Sequence, residues 1–488
     1  MKLIHEILDN AVQRSCNKVA VISNNWSITY KEIQEASYQI GNYLLDIGIK
    51  KGDRVLLNMS NSIEVVCLLM GISRIGGIAV IISPSTTQYN LHYIIRDCNP
   101  RLIIHEDSKM LNYSQSIQLY TFKEHVKNYD KYNFLEMNDI SEYDNSLFIY
   151  TSGSTGSPKA VVSTHFNVIF CTRMISKVLK IRQCDIIGNF LPFSFDYGLY
   201  QIFLSFYNMA ILAIGDSSLA GIQFIKCLKE WKVTVLPSMP HLTKGLIKLL
   251  PRYKDKVYLR VITNTGENLP QSIILKILEL IPNCQIYPMY GLTECKRVSI
   301  LKPDELESRP GSVGKPLPNV KCYVVDQNNN PLAPGTVGEL VVKGSNVMNG
   351  YWNNTKLTQE KFKGTSLGPS KILYTGDLFK IDADGYLYFI GRMDDLYKKN
   401  GFRISAKEIE EAVYSLNLAE IAILIPPDQE DKSSRLFIKT YKSIEEIKAK
   451  LSSRLEYYKI PDKIIILDEF PISLNKKIDK KKLREIRS

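Results

Sequence analysis

The sequence predicts an α/β protein: a large N-terminal domain of strands alternating with helices, a small β-rich subdomain within it, and a small α+β domain at the C-terminus. Three observations carry this reading. Short apolar strands alternate with amphipathic segments through the first 300 residues, the pattern of parallel sheets covered on both faces. From about residue 310, short strands follow one another through turns. After Gly391-Arg392-Met393-Asp394 the chain becomes charged and mixed, with helical spacing at 406–415 and 443–455. A chain of 488 residues exceeds one ordinary core. The boundary is expected near 392–396, giving domains 1–392 and 393–488.

Each element has its own signal. Ile33, Ala36, Ile40, Tyr43, Leu44 and Ile47 recur at helical spacing, Lys51-Gly52-Asp53-Arg54 reads as a turn, and Val55–Leu57 as a strand. A helical stretch at 62–75 leads through Gly76-Gly77 to the strand 78–82. Strands are expected again at 233–236 and 259–262. The β-rich part places strands at 320–325, 338–343 and 385–390, with turns at Asn328-Asn-Asn-Pro331 and Pro334-Gly335.

Composition excludes several classes. The 45% apolar content is that of a globular protein, and the most hydrophobic region, 55–83, is interrupted by Glu64 and Arg74 before it reaches the roughly 18 residues that span a bilayer. Glu6 and Asp9 break any secretory leader, so a cytoplasmic protein without membrane association is expected. Nine cysteines without a Cys-x-x-Cys pair read as reduced, mostly buried thiols. Six scattered histidines offer no structural zinc site. The net charge of +12 is dispersed except in the tail around 475–484 and comes without a nucleic-acid module. No nucleic-acid partner is expected; attraction to anionic substrates or an acidic partner is.

Residues 150–162, Tyr-Thr-Ser-Gly-Ser-Thr-Gly-Ser-Pro-Lys-Ala-Val-Val, form a hydroxyl- and glycine-rich turn between two apolar runs. Gly153 and Gly156 let the backbone aim amides at one point; Thr151, Ser152, Ser154 and Thr155 add hydroxyls, and Lys159 adds a cation. Such a nest binds polyphosphate. The spacing is not that of a Walker loop, so another nucleotide-binding class is implied. Ile286-Tyr-Pro-Met-Tyr-Gly-Leu-Thr-Glu294 reads as a strand entering a turn: its flat apolar edge at 288–290 suits a purine, and Glu294 near phosphates suits Mg²⁺. Asp377, in Tyr374-Thr-Gly-Asp after a short strand, can accept from ribose hydroxyls. Taken singly, Thr293-Glu294 also reads as a helix cap and Gly376-Asp377 as a turn.

The order of these motifs, with Gly391-Arg-x-Asp394 and a late Asn475-x-Lys477, resembles the adenylate-forming superfamily of acyl-CoA synthetases, peptide-synthetase adenylation domains and luciferases. The resemblance covers nearly the whole chain and includes Ile28-Thr-Tyr-Lys-Glu, Lys51-Gly-Asp-Arg-Val, Arg74-Ile-Gly-Gly and Gly335-Thr-Val-Gly-Glu-Leu. It implies a ligase that joins a carboxylate to the α-phosphate of ATP, releases pyrophosphate and passes the acyl group to a thiol. By the same resemblance the loop, including Thr155, and Lys159 hold phosphates, and Mg²⁺ sits on Glu294. Asp377 and Arg392 contact ribose, Gly266-Glu267 and Met289-Tyr290 frame adenine, and Gly291 and Thr293 complete the nucleotide-binding set. Lys477 is the implied catalytic lysine, with Lys476 as the competing assignment because it stands where glycine is usual. Asp394 resembles the hinge of a mobile C-terminal domain. Gly401 resembles the glycine of the thiol tunnel, or is a plain turn glycine.

Leu191-Pro-Phe-Ser-Phe-Asp196-Tyr-Gly occupies the acid-pocket motif. Asp196 either pairs with a substrate ammonium or caps the helix that follows; the serine common two places later is replaced by Gly198. Tyr197, Tyr200, Met239, Thr263, Met289, Arg297 and Val298 would line the pocket and leave room for a compact acid such as proline. Arg297 is open between pairing with Asp196 and binding a second substrate carboxylate. The expected reaction is activation of an amino acid and transfer to a separate carrier protein by a stand-alone enzyme; the alternative is an acyl-CoA synthetase acting on a small or medium acid with coenzyme A.

Overall fold

Runs with no polar side to show to water become the centres of two sheets packed by helices on both faces. The computed structural model describes every residue except 25, 107–112, 133–138, 153–157, 217–218, 220, 253–256, 267–268, 364–370, 394–395, 400–401, 429–430, 456, 474–476 and 487–488. Among the described residues, one sheet runs in the order Ser116–Gln118, Leu102–His105, Arg54–Asn58, Ile78–Ile82, Asn145–Ser152, Pro158–Thr164, parallel except for its last, antiparallel pair. The other has Gln285–Tyr290, Val261–Asn264, Val235–Ser238, Ile186–Asn189, Ile211–Ile214 and Val19–Ser23 in parallel order, with antiparallel strands beyond each edge. The strands expected at 233 and 259 begin two residues later, so their C-terminal ends reach further toward the site.

The largest core lies between these sheets. Val55 and Ile81 of one meet Leu212 and Val235 of the other through Leu44, Leu68, Ile175 and Phe203 of the intervening helices. Local chemistry starts those helices. Thr29 and Glu32 form a reciprocal capping box ahead of Tyr30–Asp46, and Ser62 caps Ile63–Arg74. Several family-like motifs are therefore structural. Arg74 donates to Asp9 and Ser37 inside the helical layer, and Arg54 donates to the carbonyls of Gly52, Cys98 and Asn99.

The β-rich part pairs Val320–Val325, Val337–Gly344, Ile372–Ile381 and Leu387–Arg392 antiparallel. One expectation changes here: Asp377 does not follow a short strand but lies inside the ten-residue strand Ile372–Ile381, beside Gly376 at φ 73°. In the C-terminal part, Ile421–Ile425, Arg435–Lys439 and Lys463–Ile466 form a three-stranded sheet. Helices Ala406–Ser415 and Ile444–Ser452 share with it a core of Ile409, Val413, Leu436 and Ile447. This part touches the remainder through Lys244 Nζ, which donates to the Glu420 carbonyl at 2.7 Å, and Lys407 Nζ, which donates to that of Phe389 at 2.5 Å. Asp394 and Gly401 lie outside the described residues. No described helix is long and apolar enough to cross a membrane, and all nine cysteines are free thiols.

Candidate active site

The antiparallel pair Asn145–Ser152 and Pro158–Thr164 sets Thr151 opposite Lys159 at the mouth of the glycine-rich turn. Gly153, Ser154, Thr155 and Gly156 lie outside the described residues, as do Glu267 and the Ser152 side chain. Lys159 Nζ sits 4.9 Å over the ring of Tyr351, whose hydroxyl donates to Glu294 Oε1 at 2.6 Å. Burial lowers the Lys159 pKa; the Glu294 carboxylate opposes this, while Lys361 and Arg392 add like charge. Three cations gathered near Glu294 and Glu360 make a place for a polyanion.

Asp377 is 2% exposed and doubly held: Tyr290 Oη donates to Oδ2 at 2.6 Å, and Arg392 Nε lies 3.2 Å from Oδ1. The Tyr290 ring packs against Phe379 and Phe389, so besides bordering the site it fixes the aspartate. Glu339 adds a further brace, accepting from the Gly376 amide at 2.9 Å. This gives the Gly335-Thr-Val-Gly-Glu motif its physical use. Gly338 completes it, because a Cβ there would lie 2.4 Å from the Val325 carbonyl oxygen.

The turn carrying half-buried Thr293 and Glu294 closes back on itself. A Cβ on Gly291 would fall 1.7 Å from the Lys296 carbonyl oxygen, so only glycine fits. Neither Thr293 nor Glu294 caps a helix here; the segment after Tyr290 is a turn leading to Ser299–Ile300. The half-buried Glu294 carboxylate accepts from the Tyr351 hydroxyl, and a carboxylate so held suits Mg²⁺ arriving with a nucleotide, since that ion is commonly bound by one or two carboxylates together with substrate phosphates.

The residues expected to line an acid pocket gather on and beside the helix Asp196–Tyr207. Asp196 is its first residue and the acid of its first turn, 8% exposed, and the N-cap position is held by Phe195, which makes no side-chain cap. Gly198 lies where a Cβ would be 2.4 Å from the Pro192 carbonyl oxygen, so the helix start is too close for serine. Tyr197 shares a 2.6 Å hydrogen bond with Thr263, and Tyr200, Met239, Met289 and Val298 are buried around it. Arg297 does not pair with Asp196. Its guanidinium lies 4.9 Å from the Tyr197 ring centroid and donates to Thr265 Oγ1 at 3.0 Å.

Lys477 reaches this pocket from the C-terminal part. Its Nζ is 5.1 Å from the Phe195 ring centroid, and a Cβ built on Gly266, at φ 88°, would meet its Cε at 3.2 Å and Nζ at 3.5 Å. Lys476 lies outside the described residues. The structure thus brings Lys477, Gly266, Phe195 and Met239 together, with the acid pocket behind them. Sequence reasoning missed Tyr351, Glu339, Thr265 and Lys296. Gly338-Glu339 was visible inside a quoted motif; the other three carry no local signal, because their roles arise from contacts across elements.

The family model described as AMP-binding enzyme matches residues 8–352. Bacitracin synthase 3 of Bacillus licheniformis is 27% identical over 495 residues, covering 99% of this chain, which spans 8% of that relative's length. The crystal structure of the anthranilate CoA ligase AuaEII in complex with anthranoyl-AMP shares the fold, with a TM-score of 0.89, 24% identity, and coverage of 99% of this chain and 96% of that one. VinN, solved with L-aspartate, is 31% identical over 80% of this chain and 98% of its own, with a TM-score of 0.73. With a family model spanning most of its length and a solved relative above 30% identity, the chain belongs to the AMP-binding enzyme family, the adenylate-forming ligases.

Proposed function

We propose that the chain activates an amino acid as its aminoacyl adenylate and hands the acyl group to the phosphopantetheine thiol of a carrier protein. The observation that carries this reading is Asp196, a nearly buried carboxylate at the acid pocket and the acid of the first turn of its helix. A carboxylate there is costly without a bonded partner, Asp196 makes no hydrogen bond or ion pair among the described residues, and a substrate ammonium supplies one. The likeness to VinN, solved in complex with L-aspartate, supports the same reading.

The first step sets an anion against an anion. A substrate carboxylate oxygen attacks the α-phosphorus of ATP, the bond to the β-phosphate oxygen breaks, and pyrophosphate leaves. Lys159 and the glycine-rich turn offset charge on the outer phosphates, and Lys477 does so between the carboxylate and α-phosphate. Asp377, oriented by Tyr290 and Arg392, holds the ribose. Glu294, oriented by Tyr351, is the residue that would hold Mg²⁺, which when bound neutralises phosphate charge. In the second step the thiol sulfur, as thiolate, attacks the acyl carbon and AMP leaves. The C-terminal part, with its hinge at Asp394, turns between the two steps and brings Gly401 to the thiol path.

The test is exchange of labelled pyrophosphate into ATP over a panel of amino and carboxylic acids, followed by thioester formation on a phosphopantetheinylated carrier and on coenzyme A. Exchange with an amino acid and loading of the carrier are expected. Exchange confined to acids lacking an amine, with coenzyme A as acceptor, overturns the reading in favour of an acyl-CoA synthetase.

A further inference from the structure

Lys296 is a lysine in an unusual place. It is 2% exposed, holds a left-handed backbone at φ 52°, and its Nζ has no hydrogen-bond partner among the described residues. The conformation is built rather than incidental. The fully buried Asn346 clamps the chain on both sides, Nδ2 donating to the carbonyls of Cys295 at 3.1 Å and Arg297 at 3.2 Å, while Gly291 makes room for the Lys296 carbonyl. These contacts set the ammonium 5.7 Å from the Tyr200 ring centroid, on the helix that begins with Asp196. Arg297 follows directly, bound to Thr265 through one nitrogen and leaving Nε buried without a partner.

Two cations, neither ion-paired to a carboxylate among the described residues, therefore lie against Tyr200 and Tyr197 on the helix that begins with Asp196. A monocarboxylic amino acid does not correct this, because its ammonium takes Asp196 and its carboxylate goes forward to Lys477 and the α-phosphate. Proline, the compact candidate, brings no further anion. We propose that Lys296 and Arg297 form a second anion subsite, and that the activated acid is a compact amino dicarboxylate whose non-reacting carboxylate they bind. This rests on the amino-acid reading above. The pocket's buried donors also set its selectivity. An amide in place of that carboxylate offers one neutral acceptor and an NH₂ group that meets donors.

The experiment compares pyrophosphate exchange with L-aspartate, L-glutamate, L-asparagine, L-glutamine, L-alanine, L-proline and succinate. Aspartate or glutamate should exceed its amide by about a hundredfold in kcat/KM, and Lys296→Met should collapse that ratio toward one. Highest activity with proline, alanine or an amide overturns the subsite while leaving the amino-acid reading intact. Preference for succinate over every amino acid instead retires the Asp196 reading and with it the amino half of the proposal. An unchanged acid-to-amide ratio in Lys296→Met also overturns it. If that variant fails to fold, calorimetric titration of the unmodified protein decides: L-aspartate or L-glutamate binding more tightly than its amide is expected, and equal affinity overturns the proposal.

Discussion

The ammonium of Lys477 lies 5.1 Å from the ring centroid of Phe195, the residue immediately before Asp196. This contact joins the C-terminal part to the N-cap of the helix that begins with Asp196. Lys477→Ala is expected to lower pyrophosphate exchange by about a hundredfold or more, the usual loss for a donor aimed at transition-state charge. ATP binding, read by fluorescent nucleotide displacement, should change far less. Full exchange activity in Lys477→Ala, with loss in Lys476→Ala, would transfer the role to Lys476.

Asp377 is expected to act mainly on nucleotide affinity. Asp377→Asn removes a charged acceptor for ribose and the partner of Arg392, so KM for ATP should rise about tenfold to a hundredfold, in line with a lost charge-assisted hydrogen bond. Tyr290→Phe leaves the carboxylate but loosens it, and should show a smaller rise in the same constant. Steady-state kinetics at saturating acid measures both; an unchanged KM for ATP in Asp377→Asn would remove the ribose assignment.

Glu294 and Tyr351 form one unit. Glu294→Gln should raise the Mg²⁺ concentration giving half-maximal exchange, because a neutral amide holds that ion poorly. Tyr351→Phe keeps the charge and should shift it less. Superimposable Mg²⁺ titrations for Glu294→Gln and the unmodified enzyme would contradict the assignment.

Gly198 is a stability test. Its missing side chain leaves room for the carbonyl oxygens of Pro192 and Leu191, which a Cβ would approach to 2.4 and 2.7 Å. Backbone cannot step aside as a flexible side chain does, so Gly198→Ala should cost about 2 kcal/mol or more by urea denaturation and should loosen the acid pocket. A denaturation midpoint equal to that of the unmodified protein would show the helix start to be adjustable.

Buried His165 and half-buried His5 set an acid limit. The Ile4 amide donates to His165 Nδ1 at 3.2 Å, which requires a neutral ring. Burial, reinforced by His5, takes His165 down to about 3; His5 is itself lowered by burial and then by Arg74, against the opposing pull of Asp9 and Glu6. Below the ordinary histidine value of 6.5 the unfolded chain therefore binds protons that the native state refuses. Stability is whole above that value and falls as the pH drops toward 4, by up to about 1.4 kcal/mol per pH unit for each such group. Urea midpoints between pH 7 and 4.5 should fall, and His165→Asn, which keeps an acceptor, should flatten the slope. A level profile in the unmodified protein would count against the neutral pair.

Much of this protein is decided by runs of neighbours. Strands such as Ile78–Ile82 are apolar throughout and must be covered on both faces; the Thr29 and Glu32 pair starts a helix wherever it is placed; the glycine-rich turn before Lys159 lies between two strands because apolar runs flank it. Those features depend on local backbone and side-chain chemistry, so the fold class, the order of the motifs and the position of Asp196 can be read along the chain. Pairings between distant residues cannot. Arg297 bonds Thr265 instead of Asp196, Tyr351 reaches Glu294, Glu339 braces Gly376, and Asn346 fixes Lys296 near Tyr200. Each depends on which strand end or loop is folded beside another, and on what is left unpaired once the core has closed. Tertiary packing alone therefore decides the charge balance around the substrate, because burial makes an unmatched ammonium costly only after the chain has enclosed it.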